Sequence, residues 1–385
     1  MIEKISDTIR YIGVDDREID LFESQYRVEN GVSYNSYLIL DESVAVFDSV
    51  DGAFCAEWMA RLEEALEGRE PDYIVVLHME PDHSACLSCF AEKYPKATIV
   101  GNAKTFNMID QFFAEPITSP RLVVKEGDVL DLGKHKLNFV FAPMVHWPEA
   151  MLAYDSYEKR LFSADAFGKF GALDCDEPWE AEARRYYYNI VGKYGANVQA
   201  LLKKAAGLDI QSILPLHGPI LTENIGYYVG KYDQWSKYEA ESDGIMIAYA
   251  SIHGNTAAAA HEMADVLRLR GVEVAVYDLC RDDMPEAVAE AFRLKHLILA
   301  ASSYDAGLFP PMEHFLMRLK SKNYQSRRVG IIENGTWAPS AGKVMRAMLE
   351  GMKGIEICER SVLIKSTCKA ENRTQMEDMA EAILN

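Results

Sequence analysis

Short apolar runs alternate with polar loops along the first part of the chain, and this pattern predicts strands mixed with helices. The runs are short, bounded by polar or proline residues and rich in β-branched and aromatic side chains, as strands are. They lie at residues 36–40, 44–48, 73–77, 98–100 and 136–141, the last of which reads as a strand pair. Residues 54–66 carry apolar side chains at helical spacing. Such a mixture predicts a layered α/β or α+β domain.

A second pattern begins near residue 244. The apolar run Ile245–Ala250 precedes a predicted helix at 256–270, and further apolar runs follow at 272–277, 296–300 and 328–332. Strands that alternate with helices predict a doubly wound parallel sheet. The polar stretch Asp233–Gly244 reads as a linker or a fraying helix end. We therefore expect two domains, residues 1–243 and 244–385.

Composition and charge narrow the class of protein. The 385 residues are 49% hydrophobic and 26% charged, which is typical of a soluble globular chain with two or three domains. The net charge of -19 disfavours nucleic acid and anionic membranes as partners, because both require a basic face. No apolar run approaches the roughly 20 residues that span a bilayer. With a charged N-terminal segment and seven cysteines, the chain is expected to be cytoplasmic with reduced thiols.

Potential metal ligands follow several of the predicted strands. The segment HMEPDH at residues 78–83 comes directly after the apolar run 73–77 and holds four of them. Three further apolar runs end in His146, Asp165 and His217. Charged and polar groups behind a core strand are costly unless something satisfies them, and a metal ion would do so. In a sandwich of sheets, such strand ends can converge on one edge.

Seven candidate ligands are more than one four-coordinate ion requires, so the pattern favours a two-metal site. They are His78, Glu80, Asp82, His83, His146, Asp165 and His217. An aspartate can bridge two ions through its two oxygens, and Asp165 is the natural candidate. The histidines that do not fit this pattern are expected to be ordinary residues, namely His135, His261, His296 and His314.

The order HxExDH, then His, Asp and His, resembles the metallo-β-lactamase fold, an αββα sandwich. Hydrolytic members usually have a histidine where this chain has Glu80. A carboxylate there makes the site richer in oxygen, which favours iron over zinc. Joined to a flavodoxin-like second half, the chain resembles the flavodiiron proteins of A type, which are oxygen or nitric oxide reductases. The motifs at residues 33–37, 146–148 and 163–168 add to this resemblance.

The resemblance implies a role for each candidate ligand. His78, Glu80 and His146 would bind one iron. Asp82, His83 and His217 would bind the other, with Asp165 bridging the two. Family members differ in whether the side chain at the position of His83 reaches the metal. Trp147 and Tyr26 would line a gas pocket, or serve only as core aromatics.

Three loops of the second half follow predicted strands and resemble the FMN site of flavodoxins. Residues 249–256 offer hydroxyls, a glycine and a helix N-terminus as an anion cradle. Residues 302–308 and 334–338 follow the next strands, where ligands of doubly wound folds lie. The expected FMN contacts are Ser251, His253, Gly254, Asn255, Thr256, Ser302, Ser303, Tyr304, Asp305, Gly307, Asn334, Gly335, Thr336, Trp337 and Ala338. His253 stands where flavodoxins usually have a hydroxyl residue.

The lone CxxC at Cys86–Cys89 has no second CxxC to complete a rubredoxin site, so we interpret it as a helical turn behind the metal loop. The electron donor is then expected to be a separate protein. The resemblance implies rubredoxin, or a reduced deazaflavin in some relatives. It also implies a head-to-tail homodimer or a dimer of dimers.

These observations favour a flavodiiron reductase, with FMN and two iron ions as cofactors. Such an enzyme takes O2 to water in a four-electron reaction, or couples two NO molecules to N2O in a two-electron reaction. Two alternatives are open. One is a zinc-dependent hydrolase of the metallo-β-lactamase fold with a flavodoxin-like domain. The other is an electron-transfer or binding module with an inactive metal site.

Overall fold

The computed structural model describes residues 2–385, and backbone contacts group them into two compact units. The first unit contains the residues up to Tyr187 together with Ala196–Asp233. The second contains Tyr188–Gly195 and Gln234–Asn385. The domain boundary at residue 243 stays a prediction. The polar stretch that suggested it contains the end of one helix and the start of a strand.

The first unit is built from two larger sheets and two hairpin-like pairs. Its strands are β1 (Glu3–Lys4), β2 (Ile9–Tyr11), β3 (Val14–Asp16), β4 (Leu21–Phe22), β5 (Tyr26–Arg27), β6 (Val32–Tyr34), β7 (Tyr37–Leu40), β8 (Val44–Phe47), β9 (Tyr73–Val75), β10 (Thr98–Gly101), β11 (Arg121–Val123), β12 (Val129–Asp131), β13 (Lys136–Phe141), β14 (Met151–Asp155), β15 (Arg160–Phe162) and β16 (Ser212–Leu214). The first sheet has the order β1-β2-β7-β8-β9-β10-β11, and the second has the order β12-β13-β14-β15-β16. The strands β3 and β6 pair separately, as do β4 and β5.

Helices flank these sheets. They are α1 (Cys55–Ala65), α2 (Pro81–Ser84), α3 (Leu87–Lys93), α4 (Ala103–Phe112), α5 (Trp179–Tyr186), α6 (Gly195–Ala205) and α7 (Ile225–Ser236). The indole of Trp58 on α1 donates to the hydroxyl of Ser36 at 3.0 Å, which fixes α1 beside the start of β7. The helices begin where apolar side chains take up the spacing of one helical face, as the sequence predicted for residues 54–66.

The core of this unit lies between the two sheets. Phe47 on β8 and Phe162 on β15 belong to different sheets, and their rings stack with centroids 3.9 Å apart. Inward-facing residues of both sheets join the same buried cluster, including Leu137 and Phe139 on β13. Alternate residues of a strand point to opposite faces, so each strand gives half of its side chains to this cluster. The αββα sandwich predicted from the sequence is confirmed.

The prediction of a strand pair at residues 136–141 is wrong. The segment is one strand, β13, which pairs with β12 on one side and β14 on the other. The partner β12 escaped notice because Leu130 is its one buried residue, between the exposed Val129 and Asp131. An edge strand with a single inward side chain leaves almost no hydrophobic pattern.

The second unit is a parallel sheet with helices on both faces. Its strands are β17 (Ser242–Ala250), β18 (Val274–Asp278), β19 (Leu294–Tyr304), β20 (Gly307–Leu308), β21 (Arg328–Asn334), β22 (Glu356–Ile357) and β23 (Val362–Ile364). The sheet order is β18-β17-β19-β21-β22, with β23 also beside β21 and the short β20 antiparallel to β19. The helices are α8 (Asn255–Arg268), α9 (Met284–Arg293), α10 (Pro310–Ser321), α11 (Ala341–Glu350) and α12 (Ala370–Leu384).

The connections of this sheet explain its layers. The helices α8 and α12 pack together on one face, while α9, α10 and α11 pack on the other. This is the doubly wound, flavodoxin-like arrangement predicted from the alternating strands and helices. Among the helices of residues 2–385, none combines the length and the apolar composition that a bilayer crossing requires.

Candidate functional site

Three of the seven candidate ligands occupy the same position relative to a strand. His78 is the third residue after β9, Asp165 the third after β15 and His217 the third after β16. The strands β15 and β16 pair in parallel, so Asp165 and His217 leave the second sheet at the same end. His146 lies five residues beyond β13, on a longer loop. The strand ends bring these side chains together, as expected from the sequence.

The loop after His78 turns into the short helix α2 because Pro81 occupies its first position. Proline suits this position, since its φ is already helical and the missing N–H would be unpaired there in any case. Glu80 precedes it in an extended conformation. The backbone N–H of His83 donates to the carbonyl of Glu80 at 2.9 Å and closes the turn. The candidate ligands of this loop are thus held within a few residues of rigid backbone.

Two buried carboxylates hold this loop in place. Oδ1 of Asp48 accepts hydrogen bonds from the backbone N–H groups of Leu77 at 2.8 Å and His78 at 3.1 Å. Oε1 of Glu149 accepts from the N–H of Met79 at 2.9 Å and from Nδ1 of His78 at 2.8 Å. A carboxylate behind an imidazole fixes its tautomer and orientation, as is usual for metal-binding histidines. Neither Asp48 nor Glu149 was among the candidate site residues predicted from the sequence.

Four residues form the first ligand group, and one ligand atom from each lies within 4.8 Å of the others. They are His78, Glu80, His146 and Asp165. Nε2 of His146 lies 3.1 Å from Oε2 of Glu80 and 3.0 Å from Oδ2 of Asp165. Nε2 of His78 lies 3.3 Å and 3.4 Å from the same two oxygens. Two imidazole nitrogens and two carboxylate oxygens therefore face one another.

The second ligand group contains Asp82, His83 and His217. The Nε2 atoms of the two histidines lie 3.1 Å apart. Oδ2 of Asp82 lies 3.5 Å from Nε2 of His83 and 3.3 Å from Nε2 of His217. Oδ1 of Asp165 reaches this group too, at 3.1 Å from Nε2 of His83. Asp165 thus turns one oxygen to each group, which is the geometry that a bridging carboxylate needs.

The hydrogen bonds of the imidazoles leave lone pairs pointing into the site. Nδ1 of His217 donates to the carbonyl of Ser33 at 2.8 Å, so the neutral ring presents a lone pair at Nε2. His78 is fixed in the same way by Glu149. These lone pairs face the carboxylate oxygens of Asp82 and Asp165. The lone pairs and the negatively charged oxygens repel one another unless a positive charge lies between them. The arrangement therefore calls for cations.

The pKa values of the site residues also indicate that the site favours cations. Burial lowers the pKa of His146, but Asp165 and Glu80 outweigh that effect and raise it to about 9. Burial also lowers the pKa of His78 and of His217, but nearby carboxylates outweigh it and raise both pKa values. Burial would raise the pKa of Asp165, yet the nearby imidazoles hold it well below its usual range. The metal-free site attracts protons, which metal ions replace when they bind.

Unpaired carboxylate oxygens also indicate that the site fits metal ions. Both carboxylate oxygens of Asp82 and Oδ1 of Asp165 are buried and have no hydrogen-bond partner among residues 2–385. Buried polar atoms in this state are rare and costly, and a metal ion would satisfy them. Each group offers two imidazole nitrogens together with carboxylate oxygens. This donor set suits non-haem iron better than thiolate-seeking metals.

His83 differs from His78 and His217. Its Nδ1 is buried and has no hydrogen-bond partner among residues 2–385, whereas Nδ1 of His78 and Nδ1 of His217 are anchored. Its Nε2 still lies 3.1 Å from Oδ1 of Asp165. The ring of His83 is therefore less restrained than those of His78 and His217.

Aromatic rings surround the two ligand groups. The ring of Trp147 lies 5.3 Å from that of His78, so it borders the first group as expected. Tyr26 packs on Phe170 instead, with ring centroids 5.9 Å apart. Tyr186, which the sequence analysis did not single out, lies 5.6 Å from the ring of His217. Its hydroxyl is buried and has no hydrogen-bond partner within the described part of the chain. Its pKa is raised, first by burial and then by the nearby site carboxylates.

The histidines predicted to be ordinary lie outside both ligand groups, namely His135, His261, His296 and His314. His135 is buried, with Nδ1 2.9 Å from a carboxylate oxygen of Asp155. The CxxC is a helical turn, as predicted. Cys86 precedes α3 and its thiol donates to the carbonyl of Val50 at 3.1 Å, while Cys89 is exposed. All seven cysteines lie within residues 2–385 as free thiols.

The predicted cofactor loops border a cleft of about 460 Å³ in the second unit. The loops follow β17, β19 and β21, whose carboxyl ends lie side by side in the parallel sheet. Oγ1 of Thr256 lies 2.9 Å from Oγ of Ser302 and accepts from Nδ2 of Asn334 at 3.3 Å. One buried hydroxyl thus ties all three loops together.

Every predicted FMN contact lines this cleft except Gly254 and Gly307. Gly254 is the residue before α8, and its φ of 90° favours glycine, so it shapes the loop. Three further residues line the cleft, namely Ile252, Ala306 and Ser366. The backbone N–H of Ser366 donates to Oδ1 of Asn334 at 3.0 Å. Because Ser366 follows β23, the next strand of the sheet, the rule that led to the other loops also points to it.

The rim of the cleft carries two large exposed aromatics. Trp337 is 94% exposed and Tyr304 is 44% exposed. Exposed aromatic faces beside a polar cradle usually mark a binding site. The hydroxyls and helix N-terminus suit a phosphate, and the aromatic faces suit a planar ring. The cleft therefore fits a flavin mononucleotide.

Comparison with known proteins places the chain in a class. Residues 32–218 match the family model described as ODP family beta lactamase. The anaerobic nitric oxide reductase flavorubredoxin of Vibrio vulnificus is 30% identical over 358 residues, which cover 90% of this chain and 72% of that protein. The rubredoxin oxygen:oxidoreductase of Desulfovibrio gigas superimposes with a TM-score of 0.93 at 25% identity, covering 100% of this chain and 98% of that one. The flavodiiron protein of Giardia intestinalis has the same fold, with a TM-score of 0.93 at 23% identity over 100% and 96% of the two chains.

The chain belongs to the flavodiiron protein family, which the sequence motifs predicted. It spans about half the length of the diflavin flavoproteins that also match it. Members of the family carry FMN and a non-haem diiron site, and both of the sites described above agree with these cofactors. The cofactors predicted from the sequence are thus confirmed for the family.

Replacing Asp48 tests the anchor of the metal loop. Asp48→Ala leaves two buried N–H groups without an acceptor, so we expect a loss of about 2 kcal/mol or more in the free energy of unfolding. At about pH 4, where the folded protein keeps Asp48 protonated, Asp48→Asn keeps the acceptor oxygen and should stay within about 1 kcal/mol of the wild type. Denaturant unfolding of the metal-free protein, followed by circular dichroism, measures both. Equal losses in the two variants would contradict this role.

The pH dependence of Asp48 is a separate expectation. Burial raises its pKa to about 8, although two backbone N–H groups and His78 act in the opposite direction. The folded protein therefore holds a proton that the unfolded chain releases near pH 4. The stabilising effect is complete below about pH 4 and is lost as the pH rises through 8. Metal-free wild type should lose stability relative to Asp48→Asn across this range. A difference in the free energy of unfolding between the wild type and Asp48→Asn that does not change with pH would contradict a raised pKa of Asp48.

Thr256→Val tests the junction of the three cofactor loops. The substitution keeps the shape but removes the hydroxyl that joins Ser302 and Asn334. We expect FMN affinity to fall by about tenfold, since a buried hydrogen-bonded hydroxyl contributes roughly 1.4 kcal/mol. Titration by flavin fluorescence measures this, with the exposed Thr222→Val as the matched control. The account is wrong if both variants bind FMN equally well.

Proposed function

We propose that this protein is a flavodiiron reductase that reduces O2 to water, NO to N2O, or both. The observation that carries the proposal is the buried carboxylate of Asp165, which turns one oxygen to each of two ligand groups. A single-ion site has no use for this arrangement. The cleft of the second unit, which the predicted FMN contacts line, is the second observation that supports the proposal.

We assign the metal ligands residue by residue. His78, Glu80 and His146 bind one iron. Asp82, His83 and His217 bind the other. Asp165 bridges them. The support is the grouping of their ligand atoms within 4.8 Å and the unpaired buried oxygens described above.

The bound diiron centre supplies binding and reduction of a small gas molecule, and FMN supplies electrons from an external donor one or two at a time. The residues around the centre prepare it for this chemistry. Glu149 and the carbonyl of Ser33 orient two of the imidazoles. The rings of Phe22 and Tyr186 pack against His217, with centroids at 5.4 Å and 5.6 Å, and keep bulk water away. These residues would thereby limit the access of solvent to a bound centre.

The FMN contacts are proposed from the cleft. Ser251, His253, Asn255 and Thr256 line the cleft at the start of α8 and would hold the phosphate. Tyr304 and Trp337 would contact the flavin ring. Gly254 and Gly307 act through the backbone conformation of their loops. Trp147, whose ring contacts that of His78, would line a gas pocket on the side of the first ligand group, whereas Tyr26 packs on Phe170.

The substrates and the donor are inferred from relatives. One relative is named a nitric oxide reductase and one solved structure a rubredoxin oxygen:oxidoreductase. We therefore propose O2 or NO as substrate and rubredoxin as electron donor. The two cofactor sites lie in separate units, so we propose a head-to-tail dimer or dimer of dimers that brings FMN of one copy to the irons of another. A cytoplasmic location is proposed from the cysteine usage, and the boundary at residue 243 as the division between metal and flavin domains.

Gas consumption tests the function. Purified protein would be analysed for metal and flavin, reduced without oxygen by dithionite or reduced rubredoxin, and mixed with O2 or NO while a gas electrode records the reaction. We expect two irons and one FMN per chain and complete consumption of at least one gas. Two zinc ions with esterase or lactamase turnover indicate the hydrolase instead. Flavin that is reduced by rubredoxin but stays reduced, with neither gas consumed, indicates an electron-transfer module.

Glu80→His tests why the centre holds iron. The substitution replaces an oxygen ligand by a nitrogen and restores the pattern of the hydrolytic enzymes. Iron content relative to zinc should then fall by about tenfold, and gas reduction should fall with it. Elemental analysis of protein grown with both metals measures the ratio, and the exposed Glu92→His is the matched control. An unchanged ratio would show that Glu80 does not select the metal.

A further inference from the structure

An apolar pocket of about 250 Å³ lies between the second sheet and the helices α6 and α7. Thirteen residues line it, and each has an aliphatic or aromatic side chain or is glycine. Its floor is formed by Leu152, Leu161 and Ile213, which lie on three adjacent strands and are at most 1% exposed. No site role was predicted from the sequence for these three floor residues, and none of them belongs to either ligand group.

The pocket opens to solvent at one end. Ala206 and Gly226 line it and are themselves exposed, so the mouth lies where α6 ends and α7 begins. Gly226 has free space around it. A Cβ atom built on this residue would meet no atom within 4 Å. At this residue, therefore, no neighbouring side chain covers the mouth.

The other end of the pocket reaches the loop of the bridging aspartate. Phe167 lines the pocket and stands two residues after Asp165. Its backbone N–H donates to the hydroxyl of Tyr232 at 2.6 Å, and the two rings lie 4.3 Å apart. Phe167 thus lines the pocket and belongs to the same loop as Asp165.

The chemistry of the lining selects the occupant. A cavity of about 150 Å³ lined by Leu, Ile and Phe stays dry and binds xenon or benzene. This pocket is larger and has no polar side chain to hold water in place. An ion or a polar metabolite would lose its hydration there without compensation. A small uncharged gas has little hydration to lose.

We propose that this pocket binds small apolar gas molecules and supplies them to the metal centre past Phe167. The gas-binding step stands on the pocket itself, whereas the delivery step rests on the proposed reductase function. Binding raises the local concentration of gas beside Asp165, so it affects the dependence of the rate on gas concentration. It leaves the rate at saturating gas unchanged.

Two glycines of α7 offer a matched pair of variants. Gly226→Leu places a side chain in the mouth of the pocket. Gly230→Leu makes the same change one turn further along the same helix, outside the pocket, and its Cβ also meets no atom within 4 Å. Both variants should fold equally well, and only the first should block the pocket. Ala205→Leu, which fills the pocket from α6, provides an independent second blockage.

The first measurement is xenon binding in crystals of the full chain under xenon pressure. We expect xenon density in the wild-type and Gly230→Leu pockets, and reduced density in Gly226→Leu. The second is stopped-flow reaction of the reduced protein with increasing O2. Gly226→Leu should lower the second-order rate constant severalfold, with the saturating rate and the iron content unchanged.

The outcomes separate this proposal from the reductase function. Absence of xenon from the wild-type pocket, or density for a bound acyl chain there, overturns the proposal. So does an O2 dependence in Gly226→Leu that equals that of Gly230→Leu. If the wild-type protein consumes neither O2 nor NO, the reductase function and the delivery step fail together, while xenon density decides whether the pocket still binds gas.

Discussion

The buried carboxylate of Asp165 is the constraint around which the first unit is organised. Burial would neutralise such a group, yet the surrounding imidazoles keep it charged. Its two oxygens face different ligand groups, and one of them has no hydrogen-bond partner. Negative charge without compensation in a protein interior is expensive. The energetic deficit is removed when a cation occupies each side, so the fold is stable in the form that can react.

The scaffold holds this arrangement through ordinary secondary structure. Two parallel strands end beside each other and carry Asp165 and His217 into the site. The opposite sheet carries His78, which Asp48 and Glu149 hold from behind. Because the ligands come from rigid strand ends, little entropy is lost when ions bind. The second unit repeats the principle, with the predicted cofactor loops joined to the carboxyl ends of a parallel sheet.

The elements that the sequence revealed are those with a strong local pattern. The position of His78, Asp165 and His217 after short apolar runs was visible because most residues of each run are buried and apolar. These side chains stood out as candidate ligands for the same reason, as polar residues in a place where polar residues are costly. The cofactor loops were found by the rule that ligands lie beyond the ends of parallel strands.

Other features escaped because their meaning depends on tertiary contacts. Glu149 is one acidic residue in a loop, and only the folded chain brings it to His78. Tyr186 is the last residue of α5 and the first of three consecutive tyrosines, with nothing local to set it apart. The strand β12 has a single buried side chain. The apolar pocket consists of residues that a sequence reading assigns to the core, since hydrophobic periodicity does not show where packing is incomplete.

Anomalous diffraction from crystals of the purified protein, recorded on both sides of the iron absorption edge, tests the central claim most directly. The account predicts two iron peaks, one beside each ligand group, with the two oxygens of Asp165 bound to different ions. A single peak, or two peaks that Asp165 does not join, would contradict it.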